Sequence, residues 1–272
     1  MYIGPAGKPI SFNGPLFESM AYLKQIGLNA MEIEFVRGIW ANEKTAEKIG
    51  EKAEENNIFL SVHAPYYLNL ISEKKNIVNK SKSVILTCLK LADVMKAHYV
   101  VFHPGFYGKL DKKEAYTRMK NVLQEISDAI ADNSWRVKLA PETMGNSSKF
   151  GSLEEIVSLA REIKHFHPTI DWAHLHARDN GRFKTKEDFE YVFKYIKSNI
   201  GLRVLKSLHN HITGVEYTEK GERYHLPLSS KKPNYKLLIS VMKQYDIKDW
   251  SIISESPLIE KDALKFKSWI KI

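Results

Sequence analysis

The feature that most constrains this chain is a repeated alternation of a short apolar run, a polar turn and a segment with the period of an amphipathic helix. The runs are Tyr2–Gly4, Ala30–Val36, Phe59–His63, Tyr99–His103, Val137–Ala140, Ile170–Ala173, Leu205–Ile212 and Trp250–Ile253. Helical patterns lie between them, over Leu16–Ile26, Glu43–Glu55, Ile77–Met95, Lys113–Ala131, Leu153–Ile163, Glu187–Ser198, Tyr235–Tyr245 and Ala263–Ile272. Strands alternating with helices predict a parallel sheet with crossover helices. Eight such units close a barrel, and 272 residues suit one barrel domain spanning 1–272. An open, doubly wound sheet is the competitor, and it expects a glycine-rich phosphate turn after the first strand. Here that turn reads Pro5-Ala6-Gly7-Lys8-Pro9, with neither dinucleotide spacing nor a P-loop. The predicted fold class is α/β, a (β/α)8 TIM barrel.

The polar residues that close the apolar runs carry the chemistry. Run three ends in Ser61-Val62-His63-Ala64-Pro65-Tyr66, run four in Phe102-His103-Pro104-Gly105, run five in Pro141-Glu142-Thr143. Run six gives Asp171-Trp172-Ala173-His174, run seven His209-Asn210-His211, and run eight Ser254-Glu255-Ser256-Pro257. In a barrel these ends meet on one face. A lone buried His or Glu is most simply a hydrogen-bonded core residue. Six consecutive strands ending in such groups are a different matter, because converging unpaired carboxylates and imidazoles are costly without a cation among them. With a single cysteine in the chain, any metal binds through imidazole and carboxylate, which suits Zn²⁺, Mn²⁺ or Fe²⁺. The donors exceed the needs of one tetrahedral ion, so two or three ions with a bridging carboxylate are expected. Clusters of this kind suit phosphate-ester hydrolysis.

In order and spacing, His63-x-x-Tyr66-x-x-Asn69-Leu70, Phe102-His103-Pro104-Gly105, Glu142-Thr143, Asp171-x-x-His174 and Glu255-x-Pro257 resemble the endonuclease IV family of apurinic/apyrimidinic DNA repair nucleases, within the xylose-isomerase-like barrel group. The likeness runs from about Ser61 to Pro257. It implies an enzyme that binds DNA containing abasic sites and hydrolyses the phosphodiester 5′ to the lesion, using two or three Zn²⁺ ions or Mn²⁺ in their place. On that basis His63 and His103 bind one ion, and Glu142 bridges it to a second held by Asp171, Glu255 and a strand-seven histidine. His174 and His225 hold a third. Glu142 and Glu255 are the expected catalytic carboxylates, Glu255 orienting the attacking hydroxide. Tyr66 and Arg37 are the expected DNA-penetrating residues, each with an ordinary loop residue as the alternative. His209 and His211 alternate to the same face of a strand, so either or both can be the strand-seven ligand. Arg223 stands where the family has the Asp of an Asp-x-His pair, and Glu222 is the available substitute. Without it the third site is weak or empty.

The formal charge of +9, from 41 basic and 32 acidic residues, fits either a polyanionic partner or a lysine-rich solvated surface. Cys88 lies in an apolar helical stretch with no base nearby, which predicts a buried hydrophobe and no nucleophile. No stretch reaches the ~20 apolar residues of a membrane span, and the N-terminus lacks the layout of a signal peptide, so a cytoplasmic chain without an obligate protein partner is expected. His98, His165 and His167 fall before strands, where stability is the expected role, while His176, Arg178 and Asp179 could reach phosphate from a loop at the mouth. Two other functions remain open. A divalent-metal sugar isomerase or epimerase of the same barrel group needs neither His63 nor His103 and gains nothing from the positive charge. A binding protein that has lost catalysis is the other.

Overall fold

The apolar runs form the staves of a closed barrel. The computed structural model describes residues 1–270. Its barrel strands are β1 (Tyr2–Pro5), β2 (Ala30–Glu34), β3 (Phe59–His63), β4 (Tyr99–Phe102), β5 (Lys138–Pro141), β6 (Thr169–Asp171), β7 (His209–Ile212) and β8 (Ser251–Ser254). All pair in parallel, in two ladders of order β1-β8-β7-β6 and β2-β3-β4-β5. Parallel bridges Ala6–Glu32 and Glu142–Thr169 join the ladders into one ring, as the alternation predicts. Closure between β1 and β2 depends on Gly4, since a Cβ there would lie 1.7 Å from the Ala30 carbonyl oxygen.

The helices pack outside the ring through stripes spaced three and four residues apart. Ala46, Ile49 and Ala53 form the buried stripe of Glu43–Asn56, and Met119, Leu123, Ile126 and Ile130 that of Lys112–Asp132. Each fully buried aliphatic side chain contributes roughly 1.5–3 kcal/mol. Side-chain caps fix where these helices start: Asn42 accepts from Thr45 N, Asp111 from Glu114 N, and Ser152 forms a capping box with Glu155. Cys88 is buried on Lys75–Val94, and burial pushes its thiol up to about 12, so it acts as the expected hydrophobe. No helix among the described residues is long and apolar enough to cross a membrane.

The structure departs from the sequence pattern in a few places. The helix expected over Glu187–Ser198 runs from Lys186 to Leu205 with a break at Gly201 (φ 88°), where the apolar period fails. The last helix is Glu260–Ile270, and Lys271 and Ile272, part of the expected span, lie outside the described residues. Run six ends sooner than expected. Asp171 closes β6 and caps a short helix, Trp172–Arg178, by accepting from His174 N at 2.6 Å. After β7 comes an antiparallel hairpin, Gly214–Thr218 with Gly221–Leu226, that the alternation does not announce.

Candidate metal centre

Strand register sets the site. Glu34 pairs with His63 across β2 and β3, and Asp171 with His211 across β6 and β7, which puts these four side chains in one row at the barrel mouth. One pleat lower lie Glu32 opposite Ser61, and His209 opposite Ser251. His103 and Glu142 follow directly on the ends of β4 and β5. His174 comes from the short capped helix, and Glu222 and His225 from the hairpin. Glu222 N donates to Gly145 O at 3.1 Å, docking the hairpin on the loop after β5. Gly145 is needed for that approach, because a Cβ there would lie 2.9 Å from Glu222 Cβ and 3.0 Å from His174 Cδ2.

Donor atoms gather into overlapping trios, each with its atoms within 4.8 Å of one another: His63-His103-Glu142, Glu142-Asp171-His211, His174-Glu222-His225 and Glu32-His209-His211. Glu142 stands in the middle. Its Oε1 lies 2.6 Å from His103 Nε2 and 3.5 Å from His63 Nε2, and its Oε2 lies 3.1 Å from His211 Nδ1. Glu255 Oε1 lies 3.3 Å from His211 Nδ1. Glu222 joins His174 Nε2 at 2.9 Å to His225 Nε2 at 3.2 Å.

Two observations show that this donor set fits divalent cations. Glu142 Oε1 and Asp171 Oδ2 are buried without a hydrogen-bond partner, although imidazole nitrogens crowd Glu142 Oε1. Close approach without hydrogen-bond alignment is what ligands aimed at a common centre show, and an unpaired buried carboxylate oxygen is otherwise expensive. The field at the mouth is also strongly negative. Burial disfavours a charged His63, yet Glu142 and Glu34 lift it to about 10. Burial likewise opposes a charged His225, and Glu222 and Glu255 lift it to about 9. Burial pushes Asp171 up to about 7, with His174 pulling the other way and Glu255 and Glu142 adding to the rise. A field that favours imidazolium favours a divalent ion still more.

The expected residues converge, with informative differences. His63, His103, Glu142, Asp171, His174, His211, His225 and Glu255 share the mouth. His209 faces the same way as His211 but one layer deeper, with Nε2 3.1 Å from Glu32 and Nδ1 2.7 Å from Ser251 Oγ. Tyr66 stands 53% exposed on the rim, and Arg37 is exposed in the turn after β2. Arg178 differs from the expected phosphate contact: its Nη1 donates to Asn146 O at 2.6 Å and Lys149 O at 3.1 Å, which ties down the loop after β5. His176 is buried and accepts from Phe183 N through Nδ1. Glu32 and Glu34, both facing the barrel interior, were not anticipated. Burial pushes Glu34 up to about 8 against the pull of His63, and its Oε1 has no hydrogen-bond partner. Their signal is the period-two pair in Met31-Glu32-Ile33-Glu34-Phe35, the same pattern as His209 and His211. The mouth opens into a cleft of 520 Å³ lined by His63, Tyr66, His103, Phe106, Glu222 and Glu255 among others.

Comparison with known proteins agrees with this architecture. Residues 20–271 match the profile of the xylose isomerase-like TIM barrel family. An uncharacterized protein of Methanocaldococcus jannaschii is 35% identical over 265 residues, 97% of this chain and 94% of that protein. A probable endonuclease 4 of Aquifex aeolicus is 26% identical over 230 residues, covering 80% of this chain and 79% of the relative. Among solved structures, endonuclease IV from Thermus thermophilus superposes with a TM-score of 0.73 at 20% identity, covering 98% of this chain and 99% of that one. A D-tagatose 3-epimerase-like protein reaches 0.75 at 21% identity, covering 100% and 96%. Both superpositions speak to fold alone. The chain belongs to the xylose isomerase-like TIM barrel family and, within it, resembles the endonuclease IV group.

Proposed function

We propose that this barrel domain is a metal-dependent DNA repair endonuclease that cleaves the phosphodiester 5′ to an abasic site. The observation that carries the reading is the arrangement of donor trios around Glu142, with His63 and His103 on one side and His174, Glu222 and His225 on another. A sugar isomerase of the same barrel group needs neither His63 nor His103. His63, His103 and Glu142 would hold one Zn²⁺ or Mn²⁺ ion, and Glu142, Asp171, His211 and Glu255 a second. His174, Glu222 and His225 would hold a third. Bound there, such ions supply Lewis-acid activation of water and stabilisation of the leaving oxygen.

The chain's own groups supply the rest. Glu255 is only partly buried beside His211 and opens to the cleft, so its carboxylate can take the proton of an attacking water. Water adds to phosphorus, the bond to the 3′-oxygen breaks, and that oxygen leaves as a hydroxyl after receiving the proton. Glu142 keeps the two halves of the site in register. Tyr66 would stack where the base is missing, and Arg37 would contact the strand from the turn after β2. The excess of basic residues would favour the phosphate backbone through counterion release.

The test uses purified protein loaded with Zn²⁺ or Mn²⁺ and a duplex oligonucleotide holding one abasic site. A nick ending in a 3′-hydroxyl, lost with chelator and in His63→Ala and Glu142→Ala, is the expected result. Intact DNA together with interconversion of a ketose panel would replace this reading with the epimerase one.

A further inference from the structure

Among the described residues three carboxylates line the cleft at the barrel mouth, and two of them are already held. Glu222 bridges His174 and His225, and Glu255 lies 3.3 Å from His211. Glu34 is the third. It belongs to no donor trio, and among the described residues no hydrogen bond or ion pair holds its carboxyl group. Its Oε1 is buried without a partner. Beside Glu34 and Glu255, the lining from the loops after β1, β2 and β8 consists of apolar Ala6, Val36, Pro257 and Ile259, and of Ser256, whose hydroxyl donates to Asp262 Oδ2 at 2.5 Å. The backbone around Glu34 is fixed. Its carbonyl accepts from Trp40 Nε1 at 2.9 Å, and two residues on, Val36 O accepts from Tyr66 N at 3.3 Å. An unsatisfied carboxyl group is thus held rigidly at the mouth, which is costly unless something bound there completes it.

We infer that Glu34 is a specificity-determining residue that accepts a hydrogen bond from a hydroxyl on the substrate's sugar, which in abasic DNA is the hydroxyl on C1′. The inference rests on the nuclease reading and deepens it. Phosphate is the wrong neighbour for this group, because its oxygens are themselves acceptors and carry like charge. A sugar hydroxyl is a donor. Within a DNA strand the 3′ and 5′ oxygens are esterified and the 2′ carbon carries no oxygen, so an intact deoxyribose offers no donor at all. Loss of the base leaves the sugar mainly as a cyclic hemiacetal, with a hydroxyl on C1′ where the glycosidic nitrogen was. That hydroxyl is the donor an abasic sugar has and an undamaged one lacks. Under the proposed function Tyr66 would fill the space of the missing base, so C1′ would face the wall of the cleft that Tyr66 shares with Glu34. A site that hydrogen-bonds a substrate hydroxyl discriminates against an analogue without it, because the buried acceptor is then left unpaired.

The experiment compares two duplexes that differ in one oxygen. One holds a natural abasic site, and the other its tetrahydrofuran analogue, which lacks only the C1′ hydroxyl. Nicking by the metal-loaded full chain gives kcat/KM on each, and fluorescence anisotropy in chelator gives binding without any ion. Wild type should favour the natural site by about tenfold or more in kcat/KM, with a preference of the same sign in binding. Glu34→Leu keeps the bulk without an oxygen, and should lose the preference by falling on the natural site alone. Glu34→Gln keeps an acceptor oxygen and should retain most of it. If Glu34→Leu does not fold, Glu34→Ala makes the same comparison. A role confined to the fold would lower both rates together and leave their ratio untouched, and that result overturns the assignment. So does a wild type that nicks and binds the two duplexes alike. A wild type that nicks neither duplex is a different outcome, which overturns the nuclease reading and this inference with it.

Discussion

Glu222 Oε2 lies 2.9 Å from His174 Nε2 while its Oε1 lies 3.2 Å from His225 Nε2, so one carboxylate spans the short helix after β6 and the hairpin after β7. A register shift in the hairpin decides which residue does this, because Tyr224 pairs with Glu216 and Glu222 with Tyr217, leaving Arg223 as the extra residue. Glu222 and His225 turn toward the barrel, whereas Arg223 and Tyr224 are exposed, and Arg223 therefore takes no part. Burial works against an ionised Glu222, but His174 and then His225 outweigh it and hold the carboxyl well below its usual range. The carboxylate beside His174 and His225 is thus that of Glu222, next to Arg223 where an Asp was expected.

The first prediction follows from that geometry. Glu222→Ala and His225→Ala should each lose one equivalent of tightly bound metal relative to wild type, measured by elemental analysis after gel filtration. The double variant should lose no more than either single one, because under the proposed function both residues would serve one ion. Loss of two equivalents in the double variant would show that the residues act separately.

Glu142 makes a different prediction because it belongs to two trios. Glu142→Ala should reduce the occupancy of both neighbouring positions, whereas His103→Ala should reduce one. On abasic duplex DNA the Glu142 variant should be slower on the order of 10³-fold. Metal content and nicking rate measured on the same samples check both parts. Equal metal loss in the two variants would remove the bridging role from Glu142.

Much of this site is legible in the sequence because its donors sit at one repeated place, the end of an apolar run. His63, His103, Glu142, Asp171 and Glu255 are all found that way. Glu32 and Glu34 are harder to find, because Met31-Glu32-Ile33-Glu34 reads as an ordinary half-buried strand with its charged face in water. In a closed barrel neither face of a strand is fully wet, and the inner face near the mouth is the polar one. The hairpin is hidden for another reason. Gly214–Leu226 is largely polar, so it carries no apolar period, and it is held by docking on Gly145 and by its own ladder. His174 is reached through a cap. Nothing in Trp172-Ala173-His174 alone marks the turn from strand to helix that Asp171 imposes.

Under the proposed function, Tyr66 would bear on substrate selection. Its ring stands on the rim of the cleft, packed edge-on to Tyr67 at 6.2 Å, and it belongs to no donor trio. Stacking of one aromatic side chain on nucleic acid contributes ~1–3 kcal/mol. Tyr66→Ala should weaken binding of an abasic duplex by about tenfold or more while leaving metal content at the wild-type level. Fluorescence anisotropy with abasic and undamaged duplexes reads the effect, and equal weakening on both would assign Tyr66 to general DNA contact.

The lower end of the barrel predicts how the fold responds to acid. His167 is buried beneath the ring of strands, its Nε2 2.8 Å from Ser207 O and its ring stacked on Tyr99 at 4.7 Å. Burial pushes it down to about 3, opposed in part by the Ser207 carbonyl. Between that value and the unfolded value near 6.5 the unfolded chain carries the proton and the folded chain does not. Stability therefore falls as the pH drops through this window, by up to roughly 1.4 kcal/mol per pH unit for this one group. Buried groups at the mouth, such as Asp171 pushed up to about 7 by burial, also link stability to pH, so the total slope of wild type says little about His167. The difference between wild type and His167→Gln says more, because the amide keeps a donor toward Ser207 but binds no proton, and contributions from the mouth cancel. Denaturant unfolding of the two proteins in chelator from about pH 4 to 7.5 should show the variant with the shallower acid dependence and the curves parallel above about pH 7. Parallel curves throughout would mean that His167 takes up its proton without unfolding the base of the barrel.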